Sequence, residues 1–385
     1  MADIHALIRS LNKTIGSDAI SSADDVAEVF MIRSNIPAYD YVTTGGFPVG
    51  RIIEHYGDAV NGFSCGKSAV AYRALAEFQH TCWNTRTQGA FRNLKFEAAK
   101  KGKKDDTIGE LKALTGHTMR RGYKGEPKYK YVALIEPEAT FTPEWGEHWG
   151  IENGGLIHMR PETAEHAVNV TEALLMNEDV SLVVFDSMSI VGAAAESDSD
   201  MESQQMGLNA RFWNKAVRKF QSAMNKNPSH DCTLLLINSA GLKIGIAYGD
   251  PESIKNGGQL KLSKSMSVKF RSGKTIKGVD EFASVEIGKN VHIENKKNKV
   301  GQEGLEADMF YLYVADEITE AKTFDTVAQL IELGLMMGFI SRKGAFYTYE
   351  KTTGQGLNNF KLALHGKDML GKLKEDVYSK IRGGE

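Results

Sequence analysis

Three consecutive residues, Gly66, Lys67 and Ser68, are the first in this chain of 385 whose types and spacing could do chemistry. They follow the apolar stretch RIIEHYG and lead into SAVAYRALAEF, whose pattern predicts a helix over about residues 68–79. A loop at such a junction turns backbone N–H groups and a helix N-terminus onto an anion. There Lys67 would neutralise the β and γ phosphates of a nucleotide, and the Ser68 hydroxyl would ligate Mg2+. The usual G-x4-GK[ST] spacing puts Asn61 where the first glycine belongs, with Gly57 and Gly62 on either side, so the loop is longer or differently curved than the standard one. Asn tolerates the left-handed conformation that such a loop needs. A second triplet, Gly273-Lys274-Thr275, is followed by IKGVDEF without a sustained helical pattern and reads as a basic loop.

Carboxylates complete the chemistry. The apolar run SLVVFDS ends in Asp186, where a strand end would hold the water shell of Mg2+. The run YVALIEPEA supplies Glu136 and Glu138, expected on alternate faces, one as general base toward a hydrolytic water and the other structural or solvated. Cys65, Cys82 and Cys232 are odd in number, far apart and without C-x2-C spacing, which reads as reduced cytosolic thiols and no structural metal.

The elements that must position these residues alternate. RIIEHYG, YVALIEP, SLVVFDS and CTLLLINS read as strands buried on both faces, separated by helices near 68–79, 163–176 and 207–224, which implies an α/β fold with a parallel sheet. VHIENKKNK and MFYLYVA read as edge or meander strands, and 324–338 and 366–381 as helices of a small C-terminal lobe. Ile4, Leu7, Ile8, Leu11 and Ile15 recur at helical spacing in an amphipathic arm that needs a cover. The expected organisation is an N-terminal oligomerisation arm over 1–35, an ATPase core over 36–318 with a basic insertion at about 84–130, and a C-terminal lobe over 319–385.

A hydrophobic content of 42%, a charged content of 25% and only 8 prolines exclude a disordered or collagen-like chain. No apolar run reaches membrane-spanning length, and MADIHALIRSLNK lacks the apolar core of a signal peptide, so a cytoplasmic protein with no membrane partner is expected. The net charge of −2 hides strongly signed regions. Residues 131–204 carry fifteen acids against Arg160 alone, while 84–130 and 205–304 carry net charges of +8 and +9. Screening over about 10 Å means that each region is felt separately.

A P-loop, YVALIEPEATFTPEWGEHWG, SLVVFDS, MGLNARFWNKAVRKF and INSAGLKIGIAYGDPESIKNGG, in this order, resemble the RecA recombinase family, with similarity from about 36 to 356, including GAFYTY and GQGLNN. The departures make the chain look like a divergent, phage-encoded or otherwise distant member. The resemblance implies a RecA-like P-loop ATPase core with a central, mostly parallel sheet, an N-terminal helical arm and a small C-terminal α+β lobe. It implies a DNA-dependent ATPase that uses ATP and Mg2+, forms a helical filament on single-stranded DNA with ATP at the subunit interface, and exchanges strands with homologous double-stranded DNA. Single-strand-binding and mediator proteins would be further partners, in the cytoplasm of a bacterium or of a phage's host.

By the same resemblance, Glu138 matches the catalytic glutamate. Trp145 and Tyr313 fall at nucleotide-contacting aromatics, and Lys297 and Lys299 match lysines that reach the γ phosphate of a neighbour's ATP. Gly62, Gly66, Lys67, Ser68, Asn238 and Ser239 would contact the nucleotide, with Ser68 and Asp186 on the metal. One DNA loop spans about 194–207 and leads to Arg211 and Arg218, seven apart on one helix face; the other, 240–257, carries Lys243, Ile244 and Tyr248 and runs into Gly257 and Gly258. Ile244 would wedge between base triplets. The family has a γ-phosphate-sensing glutamine where this chain has Ser239, and a basic residue where it has Gly241, which weakens the implied coupling of ATP to DNA. Two other functions stay open: a RecA-like DNA-binding paralogue or regulator with weak ATPase, and a related hexameric helicase motor.

Overall fold

The structure is a computed structural model that describes residues 4–16, 20–25, 29–58, 66–83, 86–88, 128–188, 205–242, 252–254, 258–279 and 284–382. Residues Met1–Phe30 and Met31–Glu385 form two compact units. In the first unit, helix α1 (Ile4–Ile15) has no buried residue. Ile4, Leu7, Leu11 and Ile15 are all exposed, leaving the apolar stripe open. The Asn12 side chain clasps Ile20, donating to its carbonyl at 2.8 Å and accepting from its N–H at 3.0 Å.

The second unit begins with α2 (Pro37–Val42), then β1 (Ile52–Asp58) and α3 (Lys67–Gln79). The alternation continues through β2 (Tyr131–Ile135), α4 (Pro143–His148), β3 (Leu156–Met159), α5 (Ala164–Met176), β4 (Val180–Phe185), α6 (Gln205–Lys226) and β5 (Thr233–Leu242). A short β6 (Glu252–Ile254) pairs back on β5 and precedes α7 (Gly258–Ser263). The meander β7 (Met266–Val279), β8 (Ser284–Asn298), β9 (Glu306–Leu312) and β10 (Thr323–Phe324) completes the sheet. Its order is β10-β9-β8-β7-β1-β5-β4-β2-β3, with β6 beside β5. Pairings from β7 to β3 are parallel and those from β10 to β7 antiparallel, giving the mostly parallel sheet expected of an α/β core.

The apolar runs explain the layers. Ala133, Ile135, Val183, Phe185, Leu234 and Leu236 meet Ala167, Val168 and Leu175 of α5 and Trp213, Val217 and Phe220 of α6 on one face. The intervening Val132, Leu134, Leu182, Val184 and Leu235 are equally buried. The pleat turns them to the other face, where α3 packs.

One expectation needs correction. Gly273-Lys274-Thr275 lies within β7 and not in a loop; irregular register between Ser272 and Thr275 breaks the period-2 pattern that would have marked the strand. VHIENKKNK, in β8, lies in the antiparallel meander, between β7 and β9. The helix expected over 366–381 is α10 (Leu370–Arg382); α9 (Leu357–Gly366) precedes it, and both follow a three-stranded sheet of β11 (Ser341–Lys343), β12 (Phe346–Tyr349) and β13 (Thr352–Gln355). With α8 (Thr326–Met336) these elements bury Ile331, Ile340, Phe360, Leu373 and Val377 in a second core.

Most of the basic insertion lies outside the described residues, but both its ends are fixed. Thr81–Cys82 pairs with Thr87–Gln88, Trp83 N–H donates to the Lys128 carbonyl at 2.9 Å, and Lys130 is buried against Asp231 and the Trp83 ring.

Asp40 of α2 ties the C-terminal lobe to the core. It accepts from Ser34 N–H and Oγ–H, both at 2.7 Å, and from the Tyr378 hydroxyl of α10 at 2.7 Å. Burial pushes its carboxyl from 3.8 up to about 6 against these bonds. The folded chain therefore holds a proton that the unfolded chain has already released, and that contribution to stability is lost as pH rises from about 4 through about 6. Relative to Asp40→Asn, the natural chain should lose about 3 kcal/mol between pH 4 and 7, read from urea unfolding of both proteins.

Candidate nucleotide site

Gly66 caps α3 in the left-handed conformation, φ 79°, which a residue with a Cβ adopts only with strain. Lys67 and Ser68 thereby open the helix at the end of β1. The Ser68 hydroxyl donates to Asp186 Oδ2 at 2.7 Å, and Asp186 N–H donates to the Ile135 carbonyl at 2.9 Å, fixing the carboxylate at the end of β4. Burial raises the Asp186 carboxyl to about 6; Glu138 and Glu136 add to that rise, and Ser68 and Lys67 oppose it. Glu138 is also raised, by burial and then by Glu136, with Lys67 opposing.

Gly66, Ser68, Glu136, Glu138 and Asp186 line a cavity of about 400 Å3 together with Trp145 of α4, Lys289 and Val291 of β8, Tyr311 of β9 and Tyr313 just beyond it. Glu136 and Glu138 line it together and do not face apart. The strand ends at Ile135 and the chain turns at residues 137–138, so strand alternation no longer applies. Glu136 Oε1 accepts from Thr140 N–H at 2.7 Å and Thr140 Oγ1 at 3.0 Å, while its Oε2 is buried without a hydrogen bond, 3.6 Å from His158 Nε2. The Ser68 hydroxyl touching the Asp186 carboxylate is the donor pair that a hard, largely hydrated divalent cation would use; among the described residues, no group of three or more His, Cys, Asp or Glu could hold a metal ion. The same cavity is lined by the aromatic rings of Tyr72, Trp145, Tyr311 and Tyr313.

The structure thus brings Gly66, Ser68, Glu138, Asp186, Trp145 and Tyr313 to one cavity, with Lys67 acting on its carboxylates. Asn238 and Ser239 are not among its described lining. The Asn238 amide donates to Glu54 Oε1 at 3.1 Å, inside a buried cluster in which Lys264 and Ser267 both bond Glu54. Lys297 and Lys299 are also directed elsewhere, donating to the Lys261 carbonyl at 2.6 Å and the Leu262 carbonyl at 3.0 Å at the end of α7. Burial, then Lys299 and Lys264, push the Lys297 ammonium down, the mark of a cationic cluster that an anion would relieve. Arg211 and Arg218 are exposed on α6, as their spacing requires. Gly258 opens α7, and Gln259 N–H donates to Asn214 Oδ1 of α6 at 2.8 Å, joining the helices that follow the two expected DNA loops. Gly62, Lys243, Ile244, Tyr248 and Gly257 lie outside the described residues.

Sequence reasoning missed Tyr311, Lys289 and Thr140. Tyr311 was within reach, because period 2 puts it on the face of Tyr313.

A parallel sheet whose inner strand leads to a left-handed glycine, a lysine and a serine at a helix start, with an aspartate two strands away touching that serine, is the architecture of P-loop α/β proteins. The model of the RecA N-terminal domain matches residues 114–316, and the chain belongs to the RecA family. Among similar proteins, Protein RecA of Treponema pallidum is 29% identical over 351 residues, covering 91% of this chain and 69% of its own. Those of Chloroherpeton thalassium and Chlorobaculum tepidum are 27% identical over 376 and 389 residues, covering 96% and 100% of this chain and 87% and 94% of their own. Among the described residues, no helix is long and apolar enough to cross a membrane.

Proposed function

We propose that the protein is a DNA-dependent ATPase and homologous recombinase that assembles as a helical filament on single-stranded DNA and exchanges strands with a homologous duplex. ATP would lie between subunits, held by Lys67 and Ser68 of one and completed by Lys297 and Lys299 of the next. Mg2+ on Ser68 and Asp186 would draw charge from the phosphates. Glu138 orients the attacking water and takes its proton, and Trp145 and Tyr313 hold the base. Arg211, Arg218 and the loop carrying Lys243, Ile244 and Tyr248 hold the DNA. Such a protein works where bacterial DNA is, in the cytoplasm, that of the host if the gene is a phage's, and meets single-strand-binding and mediator proteins there.

The contact of the Ser68 hydroxyl with Asp186, in one cavity with Glu138, Trp145 and Tyr313, carries this reading. A weakly hydrolysing DNA-binding paralogue is the second reading, favoured by the commitment of Asn238 to Glu54 beside the shortened Ser239.

Electron microscopy of the protein with single-stranded DNA and an ATP analogue should show helical filaments, and labelled duplex should exchange strands in the presence of ATP. Rings, or unwinding of a forked duplex without exchange, would indicate a helicase. Filaments with negligible single-turnover hydrolysis would indicate the paralogue.

A further inference from the structure

Trp145 does not stand alone. Its ring lies on that of His148, centroids 4.9 Å apart and planes within 6° of parallel. The two are three residues apart on α4 and so share a helix face. Trp149, 3% exposed, meets both edge-on, at 5.8 Å and 89° to Trp145 and at 5.6 Å and 87° to His148. The helix is only six residues long, with Thr142 accepting from Trp145 N–H at 3.2 Å at its start. Its last turn is anchored from outside by His148 Nε2, which donates to the Lys322 carbonyl at 2.9 Å. Lys322 presents that carbonyl from a left-handed backbone, φ 57°, uncommon for a lysine. The bond holds the imidazole at the helix end, and the imidazole and Trp149 flank the indole on two sides.

We infer that His148 is a positioning residue for the nucleotide base: it backs Trp145 so that the indole presents a preformed face to the cavity. A base would then complete a three-ring stack of base, indole and imidazole. An indole held in place loses little freedom when the base arrives, so more of the stacking energy appears as affinity. His148 touches neither phosphate nor base, and its effect passes through the indole. The inference rests on Trp145 being the base platform, and the test separates the two.

The full chain is titrated calorimetrically with Mg-ATP and with tripolyphosphate, which has the phosphates but no base. His148→Ala should weaken ATP five- to tenfold and leave tripolyphosphate within twofold, while His148→Phe, which restores a flat ring, should recover ATP to within about threefold. Trp145→Ala should weaken ATP at least as much as His148→Ala. If Trp145→Ala weakens ATP and His148→Ala does not, the inference fails and the base site stands. If neither changes ATP binding, the base site itself is wrong. Equal loss of tripolyphosphate in His148→Ala means general disruption of the site and overturns the inference, as does failure of His148→Phe to restore ATP.

Discussion

Lys67→Ala should hydrolyse ATP about 10²–10³-fold more slowly than the natural chain in the presence of single-stranded DNA. Glu136, Glu138 and Asp186 line one cavity, and Lys67 is the cation that opposes the rise of Glu138 and Asp186. Without it, a polyanionic nucleotide would meet three carboxylates with the helix N-terminus, the metal and Lys289 of β8 as the remaining positive groups. Binding and turnover should fall together, because charge that forms on the phosphates during hydrolysis loses the same partner as the ground state. Phosphate release measured against DNA concentration reads the effect, and full DNA-stimulated turnover by the variant would remove the P-loop from the mechanism.

The largest loss of stability should come from Glu54, at the centre of the sheet. It is fully buried on β1 and binds Lys264, Ser267 of β7 and Asn238 of β5. Glu54→Ala strands the Lys264 ammonium, 4% exposed, and removes the acceptor of the Asn238 amide, which should cost about 3–5 kcal/mol in urea unfolding. Replacing both ends, Glu54→Leu with Lys264→Met, should recover most of that, since no charge is left buried. If the double variant is as unstable as the single one, the cost comes from packing and not from the unpaired charge.

The contrast between these two sites explains what could be read from residue order. The helix after Gly66 and the strand ending before Asp186 are local events: apolar runs buried on both faces, punctuated by a glycine or a charge, stand out in any window. Their partnership follows from sheet order, since β1, β5 and β4 are neighbours and their C-terminal ends converge. The short β3 escaped notice because it is four residues long at the sheet edge and contains His158, so its pattern resembles a loop. Glu54 and Lys264 lie 210 residues apart, and no periodicity marks either as the other's partner. The same holds for the grip of Lys297 and Lys299 on α7. Their family likeness points outward to a neighbour, whereas the geometry of a single chain points inward to a helix end.

The basic insertion leaves the core after Trp83 and returns at Lys128, and the hydrogen bond between those two residues holds its ends side by side. In entropic terms the core closes a loop whose cost grows only with the logarithm of its length, so two doublings of the intervening chain add about 1.2 kcal/mol. The sheet and its nucleotide site are therefore nearly indifferent to how much is carried between those two points. A lineage can lengthen, exchange or trim this segment while the sheet that anchors its two ends stays the same.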